Sequence, residues 1–105
     1  MSKKISEWFV YIIKSSDDSL YTGITTDVKR RWSEHCELKA GAKFFRGRKP
    51  KSLMFVSQKK DRSEATKSEM RIKKLKRIDK FKLIDSDENQ INKLNLVKGE
   101  KIGAR

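Results

Sequence analysis

From Trp8 to Ile13 six apolar residues follow one another without a polar interruption, between Glu7 and Lys14. A run this short, rich in aromatic and β-branched types and without alternation, predicts a strand covered on both faces. Ser15-Ser16-Asp17-Asp18-Ser19 supplies turn chemistry, and Leu20 to Ile24 predicts a second strand, so the two form a hairpin that sets Tyr11 and Tyr21 on neighbouring strands. The tyrosines can then share one site. Leu53 to Ser57 predicts a third strand, giving a small sheet that needs helices to cover it.

Between the second and third strands, Asp27 is a good N-cap for a helix from Val28 to about Leu38, with Val28, Trp32 and His35 as its apolar stripe. Arg31 lies beside that stripe, one turn from His35. At ~100° per residue Arg30 falls nearly opposite Val28 and faces solvent with Glu34, so helix phase selects Arg31 as the arginine available to a site. A second helix is predicted to start near Asp61 or Ser63, where Asp61-Arg62-Ser63-Glu64 has capping-box spacing, and to run to about Arg77 with Ala65, Ile72 and Leu75 inward. Glu69 sits on the inward edge of that stripe, where an acid needs a partner, a metal or a task. Phe81, Leu83 and Ile84 predict a short further helix, and Ile91, Leu94 and Leu96 a weak amphipathic turn before a loose end from Lys98. The expected organisation is an α+β domain over residues 1–85, a three-stranded antiparallel sheet flanked by helices, followed by a basic tail over 86–105 that is weakly helical to disordered.

The 105 residues are 35% hydrophobic, enough for one modest core. Charge changes the picture more than size does. Lys and Arg outnumber Asp and Glu by 27 to 14, a formal charge of +13 and of the sign that phosphate backbones attract. A membrane surface is the competing polyanion, but the basic residues are not gathered on a strongly amphipathic helix, and no apolar run approaches the ~20 residues needed to span a bilayer. No apolar run of signal-peptide length follows Met1-Ser2-Lys3-Lys4, so the expected location is the cytoplasm. Cys36 is the only cysteine and His35 the only histidine, which excludes an intrachain disulfide and a four-ligand structural zinc site. No disulfide-linked partner is expected, and Cys36 reads as a small apolar residue on a helix.

The loop from Lys39 to Lys51 interleaves Lys43, Arg46, Arg48 and Lys49 with Phe44, Phe45, Gly41 and Gly47. That composition suits a distorted or unpaired nucleic-acid strand, with bases stacked on aromatics and phosphates held by cations, although one of the two phenylalanines can simply pin the loop to the core. Gly23, inside a short strand, permits a close approach by another group, here expected to be the phosphate.

Phe9-Val10-Tyr11, Tyr21-Thr22-Gly23, Arg31, His35 and Glu69 stand in an order that resembles the GIY-YIG endonuclease family, over about Trp8 to Leu75 and closest to its small stand-alone branch. The resemblance implies phosphodiester hydrolysis with one divalent cation, Mg²⁺ or Mn²⁺, anchored by Glu69. Arg31 would hold the scissile phosphate, and Tyr11, assisted by Tyr21 and His35, would position or deprotonate the attacking water. Each residue also has a plainer role: packing for the tyrosines and His35, solvation for Arg31, an ion pair with Lys73 for Glu69. Phe9 and Thr22 depart from the family tripeptides without removing a reacting group. The asparagine that many members carry near the end of the module has no clear counterpart among Asn89, Asn92 and Asn95.

The expected function is a metal-dependent endonuclease acting on DNA, with single-stranded or branched substrates of repair or recombination within its scope. The alternative is a non-catalytic module of the same fold that docks DNA or structured RNA. A basic protein adhering to ribosomes or acidic partners would account for the charge but not for the residue order. In so short a chain, sequence preference would be weak or supplied by a protein partner.

Overall fold

The computed structural model describes residues 7–37 and 43–94. Strands β1 (Trp8–Ser15), β2 (Leu20–Thr25) and β3 (Pro50–Lys59) form one antiparallel sheet in the order β2-β1-β3. Helix α1 (Val28–Glu37) follows β2, and α2 (Arg62–Lys73) and α3 (Arg77–Ile84) follow β3. The fold is the expected α+β arrangement, three strands with three helices. Gly41, Asn95 and Leu96, the predicted helix end at Leu38 and the loose end from Lys98 lie outside the described residues.

The unbroken apolar run of β1 does what its lack of alternation implies. Tyr11 and Ile13 pack with Val28 and Trp32 of α1 and with Phe45, Leu53, Val56 and Ile91. Val10 and Ile12 point the other way, to Phe55, Ile72 of α2 and Ile84 of α3. Since β1 is the central strand, both of its faces are covered.

A bulge in β3 lets that strand serve both layers. Ile12 pairs with Phe55 and Ile13 with Leu53, so Met54 has no opposite number. Leu53 and Phe55, two apart and normally on one face, therefore enter different clusters.

Helix starts follow the predicted caps. The Arg30 amide donates to Asp27 Oδ1 at 3.0 Å and the Glu64 amide to Asp61 Oδ1 at 2.9 Å. The second helix ends at Lys73, short of the expected Arg77. On one continuous helix Ile72 and Ile84 would be ~18 Å apart along the axis, yet both pack against Val10, Ile12 and Phe55. A break at extended Lys76 folds the chain back and makes that possible.

Residues 86–94, the start of the segment expected to be weakly helical to disordered, form turns packed onto β3. The Asn89 side-chain amide donates to Met54 O and Ile84 O, each at 2.8 Å, and its oxygen accepts from the amides of Val56 and Ile91. The Gln90 amide donates to Val56 O, and the Gln58 amide donates to Gln90 Oε1. Ile91 is fully buried beside Trp32 and Val56. Isolated apolar residues in a polar stretch hid this seam, because one asparagine rather than a periodic face closes it.

Candidate functional site

Tyr11 stands opposite Gly23 in the β1–β2 ladder, and its hydroxyl uses the space that a side chain on residue 23 would fill. A Cβ there would lie 2.6 Å from Tyr11 Oη and 2.8 Å from its Cζ. Gly23 thus makes room for the tyrosine itself, in the place where room for a phosphate was expected. From α1, His35 brings Nε2 to 2.9 Å from Tyr11 Oη. Tyr11 is 2% exposed and His35 0%.

Aromatic rings close around this pair. Tyr21 meets His35 edge-on with centroids 5.5 Å apart, and Phe45 lies 4.7 Å from His35 and 5.2 Å from Tyr21. Phe44 covers Tyr21 from outside at 5.1 Å. Of the two loop phenylalanines, Phe45 is the core anchor and Phe44 is half-buried, stacked between Tyr21 and the Arg48 guanidinium at 4.3 Å. Phe44 is therefore already engaged on both sides.

The electrostatics follow from dryness and one cation. Burial, then the neighbouring Tyr21, pushes the Tyr11 phenol well above its ordinary range, against the lowering hydrogen bond and charge of Arg31. Burial, then the Arg31 charge, pushes His35 down to about 4, with Glu34 partly opposing. His35 is thus a neutral imidazole at pH 7. A guanidinium can only donate, so Tyr11 Oη accepts from Arg31, while which partner donates in its contact with His35 Nε2 follows the imidazole tautomer. Burial alone would lower the pKa of Arg31, but its hydrogen bonds with Glu34 and Tyr11 raise it.

The structure brings Tyr11, Tyr21, Arg31 and His35 together. Arg30 stays outside, its side chain 57% exposed against 27% for Arg31. Glu69 lies part-buried on α2 and pairs with Lys73 Nζ at 3.4 Å. Among the described residues no three His, Cys, Asp or Glu side chains converge as a metal cage. A lone, part-exposed carboxylate such as Glu69 suits a hydrated Mg²⁺ or Mn²⁺ that takes one protein oxygen and completes its shell with water and phosphate.

In the basic loop, Lys43, Arg46 and Lys49 are exposed. Arg48 is committed: its Nε bonds Asp17 Oδ2 at 2.9 Å and its Nη1 bonds Phe44 O at 3.2 Å. Hydrogen bonds from Ser15 and Ser19 hold the Asp17 carboxyl well below the usual carboxylate range, so this clasp between loop and hairpin turn has a permanent anion. Asn89 is spent on backbone groups and Asn92 is exposed. Sequence reasoning gave Glu34 to Arg30 alone, but its tighter partner is Arg31, with Oε1 2.8 Å from Nη1. The i,i+3 spacing was the available signal.

Residues 7–83 match the model of the GIY-YIG catalytic domain. The chain belongs to the GIY-YIG family. Among GIY-YIG relatives it is 44% identical over 81 residues to UPF0213 protein DP2720 of Desulfotalea psychrophila, covering 77% of this chain and 74% of that protein. It is 43% identical over 84 residues to UPF0213 protein YhbQ of Salmonella typhimurium, covering 80% and 83% respectively. Its fold is similar to the solution NMR structure of UPF0213 protein BH0048 from Bacillus halodurans, with a TM-score of 0.51 and 36% identity over 88% of this chain and 98% of that one. The GIY-YIG match takes in Tyr11, Tyr21, Arg31, His35 and Glu69, but ends before the Asn89 seam.

Proposed function

We propose that this GIY-YIG protein is a divalent-metal-dependent endonuclease that hydrolyses phosphodiester bonds in DNA, with single-stranded and branched forms as its candidate substrates. The observation that carries the reading is the 2.9 Å contact between Tyr11 Oη and His35 Nε2 beside the Arg31 guanidinium. Three functional groups are fixed in a dry aromatic shell with one cation among them, an arrangement that packing alone does not require.

Arg31 offers paired N–H donors to the non-bridging oxygens, on which charge grows as the phosphate is attacked. His35 fixes the direction of the Tyr11 hydroxyl, and Tyr11 and Tyr21 hold the attacking water by hydrogen bonds. Moving the Tyr11 proton to His35 in the free protein would run uphill, from a phenol held above its ordinary range by burial to an imidazole held down at about 4. The pair therefore orients the water before it deprotonates anything. Glu69 would hold Mg²⁺ or Mn²⁺, which when bound would neutralise charge on the phosphate and the departing oxygen. Lys43, Arg46 and Lys49 would track the flanking backbone by simple charge. Among the described residues no helix is long and apolar enough to cross a membrane.

One observation favours a second reading, a DNA- or RNA-docking module that does not cut: Glu69 is already paired with Lys73. The deciding experiment uses purified protein with Mg²⁺ or Mn²⁺ on labelled single-stranded, duplex and branched DNA, beside Glu69→Ala. The nuclease reading expects wild-type cleavage that vanishes in the variant, while affinity holds or rises slightly with the loss of a negative charge. A wild type that binds all three and cuts none supports the docking module. A fully active Glu69→Ala protein removes the metal from the mechanism.

A further inference from the structure

Glu34 places one carboxylate between two guanidiniums. Its Oε1 lies 2.8 Å from Arg31 Nη1, and its Oε2 lies 3.6 Å from Arg30 Nε. Its spacing to the two arginines is one helical turn in each case, i,i+3 and i,i+4, so a small rotation of the side chain trades one partner for the other. Arg31 faces inward to Tyr11, and Arg30 faces solvent. A carboxylate and a phosphate present similar paired oxygens to a guanidinium, and they compete for it.

We infer that Glu34 is an exchangeable counter-ion for the phosphate seat: it holds Arg31 in the free protein and passes wholly to Arg30 when a backbone phosphate takes its place. The inference rests on the nuclease reading for the identity of the anion. It gives Arg30 a task outside the site, that of receiving the displaced carboxylate. It also makes Glu34 a specificity element. Anions too weakly held by Arg31 do not displace Glu34, whereas a phosphate that takes paired N–H donors of Arg31 does.

The two arginines and Glu34 together present one net positive charge, and Glu34→Gln raises that to two. The exposed Glu37, on the same helix, supplies the control Glu37→Gln with an equal change in total charge. Affinity for a labelled single-stranded DNA oligonucleotide is measured in EDTA across a salt series. Glu34→Gln should bind about two- to fivefold tighter at low salt, the size of a part-exposed ion pair. Its log–log salt slope should steepen by up to ~0.7, one phosphate equivalent for a single strand. Glu37→Gln should change both by clearly less. Exchange is tested by a cycle with Arg30→Ala, which should weaken binding more in the wild-type background than alongside Glu34→Gln.

A second probe works without DNA. Inorganic phosphate is titrated against ¹⁵N-labelled full-length protein while the Arg31 side-chain Nε–H resonance is followed. Glu34→Gln should respond at lower phosphate concentration than wild type. If DNA is not bound but this difference appears, the exchange stands and the nuclease reading falls. Equal behaviour of Glu34→Gln and Glu37→Gln with both probes, or an Arg30→Ala penalty that is the same in both backgrounds, overturns the exchange.

Discussion

β1 sends Val10 and Ile12 to one side of the sheet and Tyr11 and Ile13 to the other, and the two sides are filled with different chemistry. Under α2 and α3 the filling is aliphatic and aromatic hydrocarbon. Under α1 it includes a phenol, an imidazole and the edge of a guanidinium, none of which packs as freely as a methyl group. Both sides are dry. The comparison separates two uses of burial on one strand: removal of apolar surface from water on the α2 side, and on the α1 side the tuning of groups whose charged forms dryness disfavours. The hydrocarbon side supplies the rigidity that lets the other side hold polar groups at fixed distances.

Substitutions on the two sides should therefore fail differently. The largest effect is expected from Ile12→Ala, which empties a fully buried position on the hydrocarbon side. Unfolding by urea should show a loss of about 2–5 kcal/mol, while the variant, wherever it remains folded, keeps the Tyr11–His35 contact and its affinity for DNA. If binding collapses in step with the cavity, the two sides are not separable.

Next comes Gly23→Ala, which drives a methyl into Tyr11 Oη and Cζ and to 3.0 Å from Tyr21 Cε2, all within a packed ring cluster. A cost of about 1–3 kcal/mol is expected, together with a displaced Tyr11 hydroxyl seen as a changed His35 imidazole resonance. A stable variant with an unmoved His35 signal would mean that Tyr11 has other room.

The smallest effect sharpens the comparison by pH. His35 titrates near 6.5 when unfolded and at about 4 when folded, so below 6.5 the unfolded chain binds the extra proton first. Its contribution to stability is full above pH 6.5 and is lost as pH falls from there towards 4. Urea midpoints at pH 7 and pH 5 should differ by more in the wild type than in His35→Leu. Equal differences would place the pH dependence elsewhere.

Much of this was legible in the sequence. The unbroken Trp8–Ile13 run gave the two-sided strand because a half-exposed strand would alternate. Helix phase separated Arg31 from Arg30, since about 3.6 residues per turn is a strong constraint over ten residues. Other features were silent for physical reasons. The Met54 bulge is a matter of parity in pairing, and no single residue type announces it. The break between α2 and α3 answers to where Ile72 and Ile84 must meet, a tertiary demand that local capping signals do not encode. The Arg30–Glu34 pair is present as the sequence implied, but Arg31 is the tighter partner of that carboxylate, and only side-chain geometry ranks the two.

Asn89 has a consequence for anyone who shortens this protein. The family match stops at residue 83 and α3 at Ile84, which invites a trimmed version ending there. Such a version would lose the four hydrogen bonds of the Asn89 amide and the Gln90 contacts to β3, and would unplug Ile91 from beside Trp32. The outer edge of β3 would then stand bare, with open amides and carbonyls offered to any other strand. A trimmed protein would be expected to stick to copies of itself, and its aggregation could be mistaken for oligomerisation or for tight, non-specific capture of DNA. A workable minimal version must carry the chain past Ile91.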